Sequence, residues 1–226
     1  MKAGAVLLAA GSGSRFGGKM PKQFRSLGGR PLFYWPLRTF SRVPEIAEIV
    51  LVVPSESRAA WESVTRRWRI RRLKAVVAGG ETRNQSVCRG VQALSPDLDV
   101  ALVHDSARAL VSVSLVREVA KAAFRYGAAL AAVPVKDTLK QGSPGGFVKK
   151  TVSREGLWAA QTPQAFRMSL ARWFDRPAAR VTDDVQVFEG SGVRVKLVPG
   201  SSMNLKITVP EDFQLCQAYW RTLSRA

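Results

Sequence analysis

The chain has 226 residues, 46% of them hydrophobic, which is long and apolar enough to bury a core and excludes a disordered segment. Lys and Arg number 35 against 17 Asp and Glu, a net charge of +18 that draws polyanions: nucleic acid, acidic lipid or small phosphorylated molecules. Two cysteines, Cys88 and Cys216, with no CxxC pair exclude a disulfide framework and read as reduced thiols, and the single histidine, His104, excludes a His-rich metal site.

The first ten residues carry one lysine and a short apolar run that breaks into glycines and basic residues, so they read as a strand rather than a leader peptide. No apolar run approaches the ~20 residues of a membrane helix, and the expectation is a cytoplasmic protein. In chain order, the pattern predicts a strand at Ala5–Ala9, a helix at Leu32–Phe40, a strand at Ile49–Val53 and a helix at Ser57–Arg67. A strand at Ala75–Val77, a helix at Asn84–Ala93, a strand at Val100–Val103, a helix at Ser114–Phe124 and a strand at Ala128–Val133 follow. The strands are nearly all apolar, as strands buried on both faces of a parallel sheet are. Ser114 is the expected N-cap of its helix. Between Lys136 and Ala160 the alternation stops, and the turn cluster Gly142-Ser143-Pro144-Gly145-Gly146 predicts a projecting β-hairpin. A strand at Arg194–Val198 and a helix at Pro210–Leu223 complete the chain.

This order predicts an α/β fold: a Rossmann-like, mostly parallel twisted sheet flanked by helices, with a protruding β-arm. Residues 1–226 read as one domain with the arm inserted at about 136–160. The arm invites packing on a second subunit.

Ligands of open parallel sheets bind at the carboxyl ends of the strands, so the segments after each strand carry the candidates. Gly11-Ser12-Gly13-Ser14-Arg15 and the nearby Lys22 combine close backbone approach with two cations, which suits phosphate, although a Gly-rich turn with exposed cations remains open. Gly79-Gly80-Glu81 after the third strand reads as a ligand turn or as a strand–helix turn capped by Asn84 or Ser86. Asp105, just past the fourth strand, is placed to contact Mg2+, while its neighbour His104 reads as structural. Thr182-Asp183-Asp184 groups a hydroxyl with two carboxylates, or else caps a helix. Lys206 is a lone cation in an apolar stretch and calls for an anionic partner. The run Arg66, Arg67, Arg69, Arg71 and Arg72 reads as a solvated surface, with a nucleic-acid patch as the sharper alternative.

Taken in order, these segments resemble one family. Leu8-Ala9-Ala10-Gly11-x-Gly13-x-Arg15 with Pro21-Lys22-Gln23 resembles the signature loop of sugar- and polyol-phosphate nucleotidyltransferases. Gly79-Gly80-Glu81-Thr82-Arg83, Val103-His104-Asp105, Asp137-Thr138-Leu139-Lys140, Arg154-Glu155-Gly156-Leu157-Trp158, Gln161-Thr162-Pro163-Gln164, Thr182-Asp183 and Lys206-Ile207-Thr208 narrow the resemblance to the 2-C-methyl-D-erythritol 4-phosphate cytidylyltransferases of non-mevalonate isoprenoid synthesis.

The resemblance implies CTP and methylerythritol phosphate as substrates, Mg2+ or another divalent cation as cofactor, and a homodimer joined through the arm. Membrane and nucleic acid are not expected partners. It implies that Arg15, Lys22 and Lys206 stabilise the reacting phosphates, and that Ala9, Ala10, Gly11, Gly13, Gly80, Glu81, Ser86 and Asp105 hold the nucleotide. Arg108, Thr138, Arg154, Thr162, Thr182 and Asp183 would hold the polyol phosphate, with Thr138 and Arg154 coming from the second subunit. The chain departs from the family where Ala109 replaces a usual proline, and where Val185-Gln186 replaces Ala-Ser, which leaves Asp184 without an assigned role. A ribitol-5-phosphate cytidylyltransferase and a basic nucleic-acid-binding module are the competing readings.

Overall fold

A computed structural model of the protein describes residues 1–11, 16, 21–175 and 181–223. The chain opens with β1 (Ala3–Leu8), buried along its whole length. The short strands β2 (Ser26–Leu27) and β3 (Arg30–Pro31) pair about Gly28 and Gly29, both at positive φ. Then come α1 (Tyr34–Ser41), β4 (Ile46–Val53), α2 (Arg58–Arg67), β5 (Leu73–Ala78), α3 (Arg83–Gln92), β6 (Val100–Asp105), α4 (Val113–Tyr126) and β7 (Ala128–Pro134). The arm is the hairpin β8 (Leu139–Gly142) and β9 (Val148–Val152). The chain returns through β10 (Trp158–Arg167), β11 (Val195–Pro199) and α5 (Pro210–Leu223).

The main sheet has seven strands in the order β11-β7-β10-β6-β1-β4-β5. All neighbours run parallel except β10, which lies antiparallel between β6 and β7. The alternation along β1 shows how both faces are filled. Ala3, Ala5 and Leu7 join Phe33, Leu37 and Phe40, Trp61 of α2 and Val116 and Val119 of α4 on one side. Val6 and Leu8 join Val87 and Val91 of α3, Phe174 and Phe188 on the other. Each such fully buried aliphatic or aromatic side chain contributes about 1.5–3 kcal/mol. A third cluster joins Phe16 to Leu27, Leu32, Trp35, Ala109, Ile207 and Cys216 of α5. It fastens the chain after β1 to the C-terminal segment, and Ala109, which stands where the family usually has proline, is buried in it.

Five expectations are corrected. The strand expected at Ala75–Val77 is β5, an edge strand that is half-buried rather than covered on both faces. The return of the expected arm, Trp158 to Ala160, is the start of β10, a ten-residue strand of the main sheet. The N-cap of α4 is Ser112, whose hydroxyl accepts from Leu115 N at 3.1 Å; Ser114 already has its place in the first turn. Likewise Thr82, not Asn84 or Ser86, caps α3, in a reciprocal capping box with Gln85. The arginine run is only partly a helix face: α2 ends at Arg67, Arg69 and Arg72 have positive φ, and Arg72 donates to Val43 O.

Candidate active site

The carboxyl ends of β1, β5 and β6 border a cleft of about 350 Å3. Ala9 is held to β4 through its N–H on Val52 O, and Gln23 donates from Nε2 to Ala9 O at 3.1 Å and Gly11 O at 2.7 Å. Ala10 and Gly11 therefore face the cleft from a backbone secured on both sides. Opposite them, the turn between β5 and α3 approaches so closely that a Cβ on Gly79 would stand 2.6 Å from Ala10 Cβ and 2.8 Å from Ser86 Oγ. Ser86 Oγ accepts from Gly80 N and donates to Thr82 O, which points this hydroxyl along the cleft wall. Lys22 enters the same cleft and donates from Nζ to Ile207 O at 2.7 Å.

A second cleft, of about 180 Å3, lies beside the first and is lined by Arg108, Thr162, Thr182 and Asp183. Arg83, Asp105 and Lys206 line both clefts and form the wall between them. Lys206 Nζ contacts Asp105 Oδ2 at 2.7 Å. Arg83 donates from Nε and Nη2 to Asp105 Oδ1 at 3.2 and 3.1 Å, and from Nη1 and Nη2 to the two oxygens of Asp184 at 2.5 and 2.9 Å. Burial alone raises the Asp105 carboxyl, but the Arg83 and Lys206 cations outweigh it and hold Asp105 well below the usual carboxylate range. Burial lowers Arg83, and its two carboxylates more than reverse this. Burial pushes the Asp184 carboxyl up against the pull of Arg83; the two-pronged geometry is that of a charged pair.

His104 lies behind this wall, fully buried. Burial pushes it down to about 4, against the pull of Asp105, so the ring is neutral. The Thr162 hydroxyl accepts from Asp105 N and contacts His104 Nδ1 at 3.0 Å, while Nε2 contacts Arg108 O at 3.2 Å. This network assigns the proton to Nε2 and directs the Thr162 hydroxyl to Nδ1. Both ring nitrogens are engaged by the protein. The histidine thus supports the end of β6, as its sequence context suggests. Arg108 donates to Asn204 O at 2.7 Å, and Asn204 reaches Gln161 Oε1 and Thr162 O, so the chain before Lys206 is tied to β10.

Most of the sequence-selected residues meet here. Ala10, Gly11, Lys22, Gly80, Glu81, Ser86, Asp105 and Lys206 line the first cleft, and Arg108, Thr162, Thr182 and Asp183 the second. Ala9 is buried beneath the loop. Thr138 and Arg154 line neither cleft; both are exposed on or beside the arm, where Arg154 donates to Lys136 O. Gly13 and Arg15 lie outside the described residues. Thr182 caps no helix: its N–H and hydroxyl both go to Gln186 Oε1, at 2.6 and 3.1 Å. Arg83, Asp184, Gln23 and Gln164 carry no assigned role in the sequence reading. The sequence reading began this helix at Asn84, and the Thr82-x-x-Gln85 pattern that marks Arg83 as its first residue was the available signal; the partner Asp184 is 101 residues away and gives no local signal.

This geometry, with neighbouring clefts sharing a wall of two cations and a carboxylate, suits two phosphorylated ligands held side by side. A family model described as 2-C-methyl-D-erythritol 4-phosphate cytidylyltransferase matches residues 3–222. The chain belongs to this family. The cytidylyltransferase of Geobacillus kaustophilus is 43% identical over 218 residues, covering 95% of each chain. The bifunctional enzyme IspD/IspF of Desulfotalea psychrophila is 44% identical over 224 residues; the match covers 98% of this chain and 58% of that longer protein. Among solved structures, the cytidylyltransferase of Thermus thermophilus superposes with a TM-score of 0.78 at 35% identity, over 98% of this chain and 100% of that one. The 4-diphosphocytidyl-2C-methyl-D-erythritol synthase of Anaerococcus prevotii gives 0.83 at 30% identity, over 97% and 96%.

Proposed function

We propose that this chain transfers CMP from CTP to 2-C-methyl-D-erythritol 4-phosphate, releasing pyrophosphate and 4-diphosphocytidyl-2-C-methyl-D-erythritol, a step of non-mevalonate isoprenoid synthesis in the cytoplasm. The observation that carries it, beside family membership, is the wall of Arg83, Asp105 and Lys206 common to both clefts. CTP occupies the larger cleft, with its base against Ala10, Gly80 and Ser86 and its phosphates towards Lys22. The polyol phosphate occupies the smaller cleft against Arg108, Thr182 and Asp183. The reacting atoms meet at Lys206.

The chemistry follows from charge. An oxygen of the polyol phosphate, already anionic, attacks the α-phosphorus in line; the bond to the β-phosphate oxygen breaks, and pyrophosphate leaves with that electron pair. No proton has to be removed from the nucleophile, which is consistent with a buried, neutral His104 whose nitrogens are both engaged. The residues of this chain orient the two anions and stabilise charge on the equatorial oxygens. Lys206 and Lys22 exchange their present acceptors, Asp105 Oδ2 and Ile207 O, for phosphate oxygens. Arg15, outside the described residues, is assigned to the same cationic set from the sequence alone.

The described residues contain no group of three carboxylate, histidine or cysteine side chains able to cage a metal. A magnesium ion bound with the triphosphate would be held on the protein side by Asp105 Oδ2, since Mg2+ binds through one or two carboxylates plus substrate phosphates. Such an ion neutralises phosphate charge. A homodimer brings Thr138 and Arg154 to the neighbouring site. The exposed Phe147, Val148, Leu157 and Trp158 on and beside the arm support that packing.

The test is pyrophosphate release by the purified protein with CTP and either methylerythritol phosphate or ribitol 5-phosphate, with the product identified by mass. Turnover confined to methylerythritol phosphate is expected. Preference for ribitol phosphate, or DNA binding without CTP turnover, would overturn the proposal.

A further inference from the structure

Asp184 is a carboxylate with 1% of its surface exposed, and the reaction as described makes no use of it. Its two oxygens are taken by the terminal nitrogens of Arg83 at 2.5 and 2.9 Å. Its backbone is held as firmly, because Gln164 Oε1 of β10 accepts from Asp184 N at 2.8 Å and Val185 N at 3.1 Å. Arg83 then turns Nε and Nη2 onto a single oxygen of Asp105, Oδ1. The other oxygen, Oδ2, faces Lys206 at the wall of the two clefts.

A buried ion pair is weak evidence for stability, since apolar residues of similar volume often serve as well or better. What this pair does supply is orientation. Asp105 ends β6, and its carboxylate could present either oxygen to the clefts. Arg83 claims one and leaves the other for the ligand side. The guanidinium itself is clamped by Asp184 and by its place in the first turn of α3.

We infer that Asp184 is a positioning residue: it locks Arg83, and through Arg83 it sets which oxygen of Asp105 faces the reacting groups. The inference rests on the reading that the shared wall is the reaction centre. It gives the 181–188 turn a task in catalysis although Asp184 touches no substrate.

The experiment is D184N in the full chain, assayed for CMP transfer beside wild type, D105N and the D105N/D184N double variant. D184N keeps the shape but loses the charge. Its kcat is expected to fall about 100-fold with KM for both substrates within about threefold, because misplacement of a transition-state contact acts on kcat. In the D105N background the same substitution is expected to cost less than about threefold more, since residues acting through one another are not additive. Near-wild-type kcat in D184N, or an equal loss in both backgrounds, overturns the relay. Should D184N fail to fold, the R83M/D184L pair decides, because it leaves no unpaired buried charge. The relay requires this pair to fold and remain slow; near-wild-type turnover, or failure of this pair to fold as well, makes Asp184 a residue of folding alone. A wild-type protein without CMP transfer counts against the function itself and takes the relay with it, whereas active wild type with undiminished D184N counts against the relay only.

Discussion

Replacing Gly90 with alanine sets two opposing effects against each other. Gly90 is buried on the face of α3 that packs on the sheet. A Cβ there would stand 2.3 Å from Val6 Cγ1 and 2.9 Å from Val52 Cγ2, where ordinary contact begins at 3.4 Å. Alanine in a helix interior is favoured over glycine by about 0.5–1 kcal/mol. Overpacking costs about 1–3 kcal/mol. Val6 and Val52 are fully buried β-branched residues on strands paired on both sides, so neither side chain has room to turn away. The shortfall exceeds an ångström at the nearer contact, which places the penalty near the top of its range, about 3 kcal/mol, and leaves a net loss of about 2–2.5 kcal/mol. For a chain of this size that lowers Tm by roughly 4–10 °C. Because α3 must ride outward, Arg83 and Ser86 move with it, and kcat is expected to fall by about 100-fold, the scale of a 1 Å misplacement. Urea unfolding at constant m-value, with steady-state CMP transfer, reads both effects. A G90A protein as stable as wild type would refute the packing argument.

Gly11 offers the contrast, since a Cβ there meets nothing within 4 Å. G11A should stay within about 0.5 kcal/mol of wild type in unfolding free energy. In the proposed binding mode a phosphate approaches the backbone where the methyl would stand, so its KM for CTP should rise about tenfold; an unchanged KM would remove Gly11 from the nucleotide site. K206A should fold normally and lose kcat by about 100- to 1000-fold, the scale of one lost transition-state donor; near-wild-type turnover would exclude Lys206 from the reaction. Mixing inactive K206A and R154A chains should restore about a quarter of the sites if the arm serves its neighbour across a two-fold axis. No recovery after subunit exchange would return Arg154 to its own chain.

The parts of the fold that were legible in the sequence are those with local signals. Apolar runs gave the parallel strands, and Pro210 with Glu211 and Asp212 in the first turn marked the start of α5. β10 was hidden because Gln161, Thr162, Pro163 and Gln164 interrupt its apolar run. The Gln161, Thr162 and Gln164 side chains are buried for tertiary hydrogen bonds, to Ser201 O, Asp105 N, Asp184 N and Val185 N, and polarity masks their burial in a one-dimensional pattern. The T-x-x-Q box at Thr82 is a local signal that the reading of Asn84 or Ser86 as the cap passed over. Candidate residues in loops after strands were legible because chain topology gathers them at one edge of the sheet. The Arg83–Asp184 pair was not, since nothing near either residue names the other.

The antiparallel insertion of β10 has a consequence for how the chain is made. The crossover β6–α4–β7 leaves a slot one strand wide, and the strand that fills it is encoded after the arm. A nascent chain synthesised as far as Pro134 therefore has β7 without either of its strand partners, β10 and β11, and exposes with unpaired amides and carbonyls the β6 and β7 edges that β10 will cover. They stay open until Arg167 has emerged from the ribosome. Exposed edges recruit other chains, so the interval during which the arm is being translated is the period of greatest exposure to aggregation, and a shortened arm would narrow it.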